Sequence, residues 1–224
     1  MPSAAESKGA MSLGHVALHY PEASDGPAAA RLLGLLGLVQ SQALPMPDGS
    51  TFYRFIVDER HRAAGDGIVY LSAVPPAQKA LQQAARAALG VGTDREHPAV
   101  AALASAAAQD PEYMFHVGLL LTSLEELERI ALDLAERAGG DPYFQGRLKI
   151  TINRPRPGDP SVDARLDASP AFASVDRHAY GRNGVQLFVE TDLLVGGPLG
   201  DALVLELDYV FPGHARHILS DVEL

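Results

Sequence analysis

The chain contains no cysteine. That absence removes disulfides, thiol nucleophiles, iron–sulfur clusters and cysteine-held zinc together. It has no apolar run approaching the roughly 20 residues that cross a bilayer, so a membrane role is not expected. The opening MPSAAESKGAMS lacks an apolar core and does not read as a secretory leader; a cytoplasmic location is the default expectation. Positive charge is also short. The 18 basic side chains face 28 acidic ones, a net charge of -10, which argues against a nucleic-acid partner. No G-x-S-x-G elbow occurs. Gly90-Val91-Gly92 follows a helical stretch and lacks the third glycine of a dinucleotide fingerprint.

What is present is apolar material in regular patterns. With 47% hydrophobic residues in 224, the chain can bury a true core in one compact unit or two small ones. Residues 13–20 alternate, with Val16, Leu18 and Tyr20 on one face and His15, Ala17 and His19 on the other. Pro27 suits the first turn of a helix and Gly37 its end. Asp48-Gly49 signals a hairpin between two strands, and a further strand follows from Gly67. Residues 1–12 read as a flexible tail and 13–74 as a first module of order βαβββ. Two alanine-rich helices in 75–112 read as an outer connector.

The order then recurs in 113–212. A strand begins near His116. Ser123 and Glu126 form a capping box, and Leu124, Leu127, Ile130, Ala131 and Leu134 follow at helical spacing. Leu148, Ile150 and Ile152 alternate with Lys149, Thr151 and Asn153. A proline- and arginine-rich insertion, 154–184, precedes two closing strands; 213–224 reads as a tail. The chain is thus a diverged duplication of a βαβββ unit.

In the second module the apolar set should pack under the helix. The other face carries His116, Lys149, Thr151, Gln186, Glu190, Glu206 and Asp208. That face is either simply solvated, or lines a cavity. Glu206 sits between two leucines, where an isolated charge is costly to bury. If the first and last strands lie close, His116 and Glu206 converge, and His15 is the equivalent of His116 in the first module. Two imidazoles and a carboxylate make a facial triad for a divalent metal. His19, Tyr70 and His178 are candidate proton carriers. Arg154 and Arg156 have the guanidinium fork that matches a substrate carboxylate. His214 and His217 read as a solvated tail.

GHVALHY followed by RLLGLLGL, and FHVGLLL followed by SLEELERIALDLAER, resemble the vicinal-oxygen-chelate superfamily of glyoxalases, bleomycin-resistance proteins and extradiol dioxygenases. The resemblance covers roughly 13–74 and 113–211. It implies an α+β fold in which two βαβββ modules form a U-shaped, curled mixed sheet with helices outside. It also implies that His15, His116 and Glu206 hold a metal (Fe2+, Mn2+, Zn2+ or Ni2+). The remaining last-strand position offers only Tyr70, Leu71 or Ser72, which departs from glyoxalase I and is closer to a two-His-one-Glu site. The acidic-Pro signature of extradiol enzymes before Glu206 is missing. The implied activity is dioxygenase-, lyase- or isomerase-type chemistry on a small substrate with two adjacent oxygens. The alternative is metal-free sequestration of the bleomycin-resistance type. Relatives often pair as homodimers.

Overall fold

The structure is a computed structural model that describes residues 12–63 and 65–213. The N-terminal tail before residue 12 lies outside the described residues, as do His214 and His217. The chain divides into two compact units, one ending at Ala73 and the other beginning at Val74. Among the described residues are eight strands and five α-helices, an α+β fold. No helix among them is long and apolar enough to cross a membrane.

The first unit runs β1 (His15–Tyr20), α1 (Gly26–Leu35), β2 (Val39–Pro45), β3 (Thr51–Ile56) and β4 (Ile68–Ala73). Its strands are ordered β2-β3-β4-β1, antiparallel except for the parallel pair β1–β4. Pro27 stands in the first turn of α1, as expected. Gly37 follows its end at φ 97°, a conformation few residues other than glycine take. The Asp48-Gly49 turn closes β2 onto β3, with Asp48 accepting from both the backbone and hydroxyl of Ser50. These hydrogen bonds hold the Asp48 carboxyl below its ordinary range. Leu18, Tyr20, Leu32, Leu33, Phe55 and Leu71 are buried in the core of this unit.

The second unit opens with α2 (Pro76–Ala88) and α3 (Pro98–Gln109). It continues as β5 (His116–Leu121), α4 (Leu124–Gly140), β6 (Leu148–Asn153), α5 (Pro160–Asp167), β7 (Gly184–Gly196) and β8 (Asp201–Val210). Its strands are ordered β6-β7-β8-β5, again antiparallel except for the parallel pair of first and last strands, β5–β8. Both units therefore share one topology, as the recurrent element order implies. α5 was not anticipated in the proline-rich insertion. Asp159 caps it, accepting from Ser161 and Val162, and Pro160 opens it.

Ser123 caps α4 by accepting from the Glu126 amide at 3.3 Å. The buried residues of α4 are Leu124, Leu127, Ile130, Ala131 and Leu134, the set that helical spacing picks out. They pack on the sheet face carrying Leu187, Val189, Leu205 and Leu207, all buried. Leu127, Ile130 and Leu134 are fully inaccessible. Leu134→Ala should accordingly cost about 2–5 kcal/mol of stability, read as a lower urea midpoint at unchanged slope. A loss below 1 kcal/mol would mean that α4 is not the cover of this core.

The first helix of the connector meets the β7–β8 turn. Gly200, in the β7–β8 turn at φ 66°, would place a Cβ 2.9 Å from the buried Gln82 amide of α2. Beside it Arg86 donates to the Leu199 carbonyl and faces Asp201 at 3.6 Å.

Candidate metal centre

Period-two alternation places His116 of β5, Asn153 of β6, Gln186 and Phe188 of β7, and Glu206 and Asp208 of β8 on the sheet face opposite α4. The strand registers confirm it: Gln186 stands opposite Asp208 and Asn153, and Gly118 opposite Glu206. The middle of this face is closed to solvent, although Lys149 at its edge is exposed. Gln186 is 0% exposed and Glu206 3%.

The parallel pairing of β5 with β8 brings the first strand's imidazole diagonally onto the last strand's carboxylate. His116 Nε2 lies 2.9 Å from Glu206 Oε2. Gly118, the residue opposite Glu206, contributes no side chain, and a Cβ there would stand 3.5 Å from the same oxygen. Glu112 completes the group. It sits in the 3-10 turn Pro111–Tyr113, where the Asp110 side chain accepts from its amide at 3.0 Å. Asp110 is in turn held by the Tyr180 hydroxyl. Ligand atoms of Glu112, His116 and Glu206 all lie within 4.8 Å of one another.

The hydrogen bonds around these three are directional. His116 Nδ1 lies 2.7 Å from the Met114 carbonyl, which can only accept, so Nδ1 carries a proton. Nε2 is therefore the ring atom left for a ligand, and at 2.9 Å it is within ion-pairing distance of Glu206 Oε2. Gln186 Nε2 donates to Glu112 Oε2 at 2.6 Å and to Glu206 Oε1 at 2.7 Å. Its own carbonyl accepts from Asn153, whose carbonyl accepts from Arg177 Nε at 3.1 Å. Each amide is thereby oriented by the next.

Against these carboxyls the structure sets one imidazole, His116, which pairs with Glu206 at 2.9 Å and favours the charged form of Glu112. Among the described residues no lysine or arginine pairs with Glu112, Glu206 or Asp208. Burial pushes the Glu112 carboxyl up; the Gln186 hydrogen bond opposes this and the Glu206 charge reinforces it. Burial, then the Glu206 charge and a hydrogen bond with Glu206, push Asp208 up to about 9. One oxygen of Asp208 is buried without a hydrogen-bond partner. Buried carboxylates short of positive charge suit a cation.

The donor set fits a divalent metal on three counts. Bonds of about 2.1 Å to nitrogen and oxygen at neighbouring coordination positions separate the two donors by about 3 Å, which is the His116–Glu206 spacing. A metal-binding histidine usually donates its other ring N–H to a carbonyl or carboxylate, as His116 does to Met114. Carboxylate ligands are usually hydrogen-bonded in turn, as Gln186 does for both glutamates.

The remaining sequence candidates are not among these three donors. His15 and Tyr70 belong to the first unit, their rings 5.0 Å apart, and Tyr70 also packs on Phe52 at 5.4 Å. His19 Nδ1 lies 3.2 Å from the Ser72 hydroxyl in that unit. His178 is exposed and bridges Arg154 through the backbone. Arg154 is only 6% exposed and donates to Asp167 at 2.8 Å. Arg156 is exposed, beside a cavity of about 230 Å³ shared with Asp159, Asp163 and Arg182. Glu112 was missed because it precedes the strand, in what reads as connector. The one signal for it is its spacing four residues before His116.

No known family's sequence profile matches the chain, and no curated protein matches it. Among solved structures it is similar to a possible glyoxalase from Bacillus cereus, at 15% identity over 90% of this chain and 100% of that one, with a TM-score of 0.38. It is also similar to a xylose isomerase-like TIM barrel/4-hydroxyphenylpyruvate dioxygenase fusion protein, at 13% identity over 93% of this chain and 28% of that one, with a TM-score of 0.22. Both are distant likenesses, and the chemistry of the site stands on its own donors.

Proposed function

We propose that Glu112, His116 and Glu206 hold a divalent metal ion, one of Fe2+, Mn2+, Zn2+ and Ni2+. The protein would then be a metalloenzyme of vicinal-oxygen-chelate type acting on a small organic substrate with two adjacent oxygens. The observation that carries this is the approach of His116 Nε2 to Glu206 at 2.9 Å while Nδ1 is already committed to Met114, with Glu112 joining the pair. Three protein donors leave open positions for substrate oxygens. A bound ion would supply Lewis acidity, stabilising an enolate- or catecholate-like anion in a dioxygenase-, lyase- or isomerase-type reaction.

The chain's own residues do the positioning. Gln186 turns one oxygen of each glutamate toward its amide, so that the other oxygen of Glu206 is the one facing His116 Nε2. The Met114 carbonyl holds the His116 ring in the tautomer whose Nε2 is a ligand.

The test is calorimetric titration of chelator-treated protein with Mn2+, Zn2+ and Ni2+, and with Fe2+ under nitrogen. One ion per chain is expected, and His116→Ala should weaken it at least a hundredfold. A parent that binds none of the four, or a variant that binds as tightly as the parent, would end the reading.

A second reading is a metal-free small-molecule binder. It is favoured by an apolar cavity of about 460 Å³ on the same side of the second unit. It differs in requiring ligand-induced thermal stabilisation that is indifferent to chelator.

A further inference from the structure

α3 is a helix without a single charged residue, PAVAALASAAAQ, yet none of its residues is buried. A helix apolar all round belongs in an interior. Part of the explanation lies beneath it. Val100, Leu103, Ala104 and Ala107 of α3, with Phe115 and Leu199, wall a cavity of about 460 Å³, within the usual range for small-molecule sites. Leu103 is 51% exposed and Phe115 71%, so both have apolar surface still to cover.

The cavity adjoins the metal centre. Met114 and Phe115, which lead directly into His116, line it, and so does Val204, the residue paired with His116. Val204 is two residues from Glu206 on the same face of β8, a step of about 7 Å. The charged groups at its edge are already matched: Lys149 with Glu190 at 3.5 Å, and Asp201 with Arg86 at 3.6 Å. The walls therefore offer hydrocarbon contact and no uncompensated charge.

We infer that the space under α3 seats the body of the substrate. Its substrate class is then neutral organic molecules in which two adjacent oxygens terminate an aromatic or branched hydrocarbon body. The oxygen end of this inference rests on the metal-site reading. The hydrocarbon seat does not.

The test uses the full chain loaded with Zn2+ and three probes: catechol, 4-tert-butylcatechol and tert-butylbenzene. Affinities come from calorimetry, and from ligand-observed NMR for the hydrocarbon. The parent should bind 4-tert-butylcatechol at least tenfold more tightly than catechol, because the tert-butyl group leaves water. Ala104→Trp fills the seat from an exposed helix position at small propensity cost. It should erase that advantage and leave catechol affinity and the thermal midpoint unchanged. Ala107→Leu should reduce the advantage in part. Ser105→Trp, on the same helix but not among the cavity walls, should change nothing.

An advantage that survives Ala104→Trp overturns the seat, as does a parent for which the tert-butyl group adds nothing; catechol that still binds in either case leaves the metal reading standing. Catechol that fails to bind, with tert-butylbenzene held by the parent and lost in Ala104→Trp, supports the seat and removes the metal reading. If Ala104→Trp instead converts a dimer to a monomer in sedimentation and leaves the probe affinities alone, α3 is a contact between copies and the seat is overturned.

Discussion

Raising the pH from about 5 to 8 should destabilise the metal-free protein by about 2–4 kcal/mol, and Asp208→Asn should remove most of that loss. Unfolded, Asp208 releases its proton near its ordinary value of 3.8; folded, it holds the proton up to about 9. The native state therefore binds more protons than the unfolded one between these limits. The stability this confers is fully present below the lower value and is lost as pH rises through the upper one. One unit is worth about 1.36 kcal/mol, so three units set a ceiling near 4 kcal/mol, lowered by the titration Asp208 shares with its neighbours. Glu112, also pushed up by burial, acts in the same direction. Asp48, Glu59, Glu125 and Glu128 are shifted the other way by hydrogen bonds to Ser50, Arg62 and Arg165, or within Glu125 itself. Their contributions are lost only as pH falls below about 5, outside this window. Urea unfolding of both proteins at pH 5, 6, 7 and 8 gives the two slopes. Parallel slopes would show that Asp208 is ionised in the native state.

The second large effect separates binding from stability. Glu206→Gln should abolish metal-induced stabilisation and yet leave the metal-free protein at least as stable as the parent at pH 8. The amide can still accept from Gln186 through its oxygen, and its nitrogen can donate to His116 Nε2. The change also removes the charge that bears on Asp208 and Glu112. What is lost is the anionic ligand. Metal at a hundred times its dissociation constant stabilises the parent by about 2.7 kcal/mol, a rise of roughly 5–11 °C for a chain of this size. Thermal unfolding with and without Mn2+ reads both quantities. A carboxylate with a structural role alone would show the reverse: a less stable variant and a metal effect no different from the parent's.

Much of this arrangement was legible from local pattern. The α4 stripe from Leu124 to Leu134, the Ser123 cap and the Gly37 stop are encoded within a few residues of where they act. The alternation of Leu148, Ile150 and Ile152 with Lys149, Thr151 and Asn153 likewise assigns residues to faces, because a strand sends successive side chains to opposite sides. Gln186, Glu206 and Asp208 could be placed on one face by that rule alone. The repeated βαβββ order also emerged from element type and spacing.

Three things did not emerge. α5 was hidden because proline suggests a loop, although Asp159-Pro160 is a sound helix start. Glu112 was hidden because it lies in a turn, where no periodicity says which way a side chain points. The third was the setting of His15, whose ring lies 5.0 Å from that of Tyr70 in the first unit, a pairing that alternation alone does not give; the lack of a carboxylate at the last-strand position beside it was already legible.

By itself the sequence determined which residues face the core, where helices start, and that a histidine and several acids share one polar face. Only the tertiary structure decided that β5 runs parallel to β8, with Gly118 opposite Glu206, so that His116 reaches the carboxylate and Glu112 meets them both. The physical reason is one of range. Periodicity and capping act over a few residues, whereas the meeting of donors depends on strand register between segments about ninety residues apart, and a slip of one residue would turn Glu206 to the other side of the sheet.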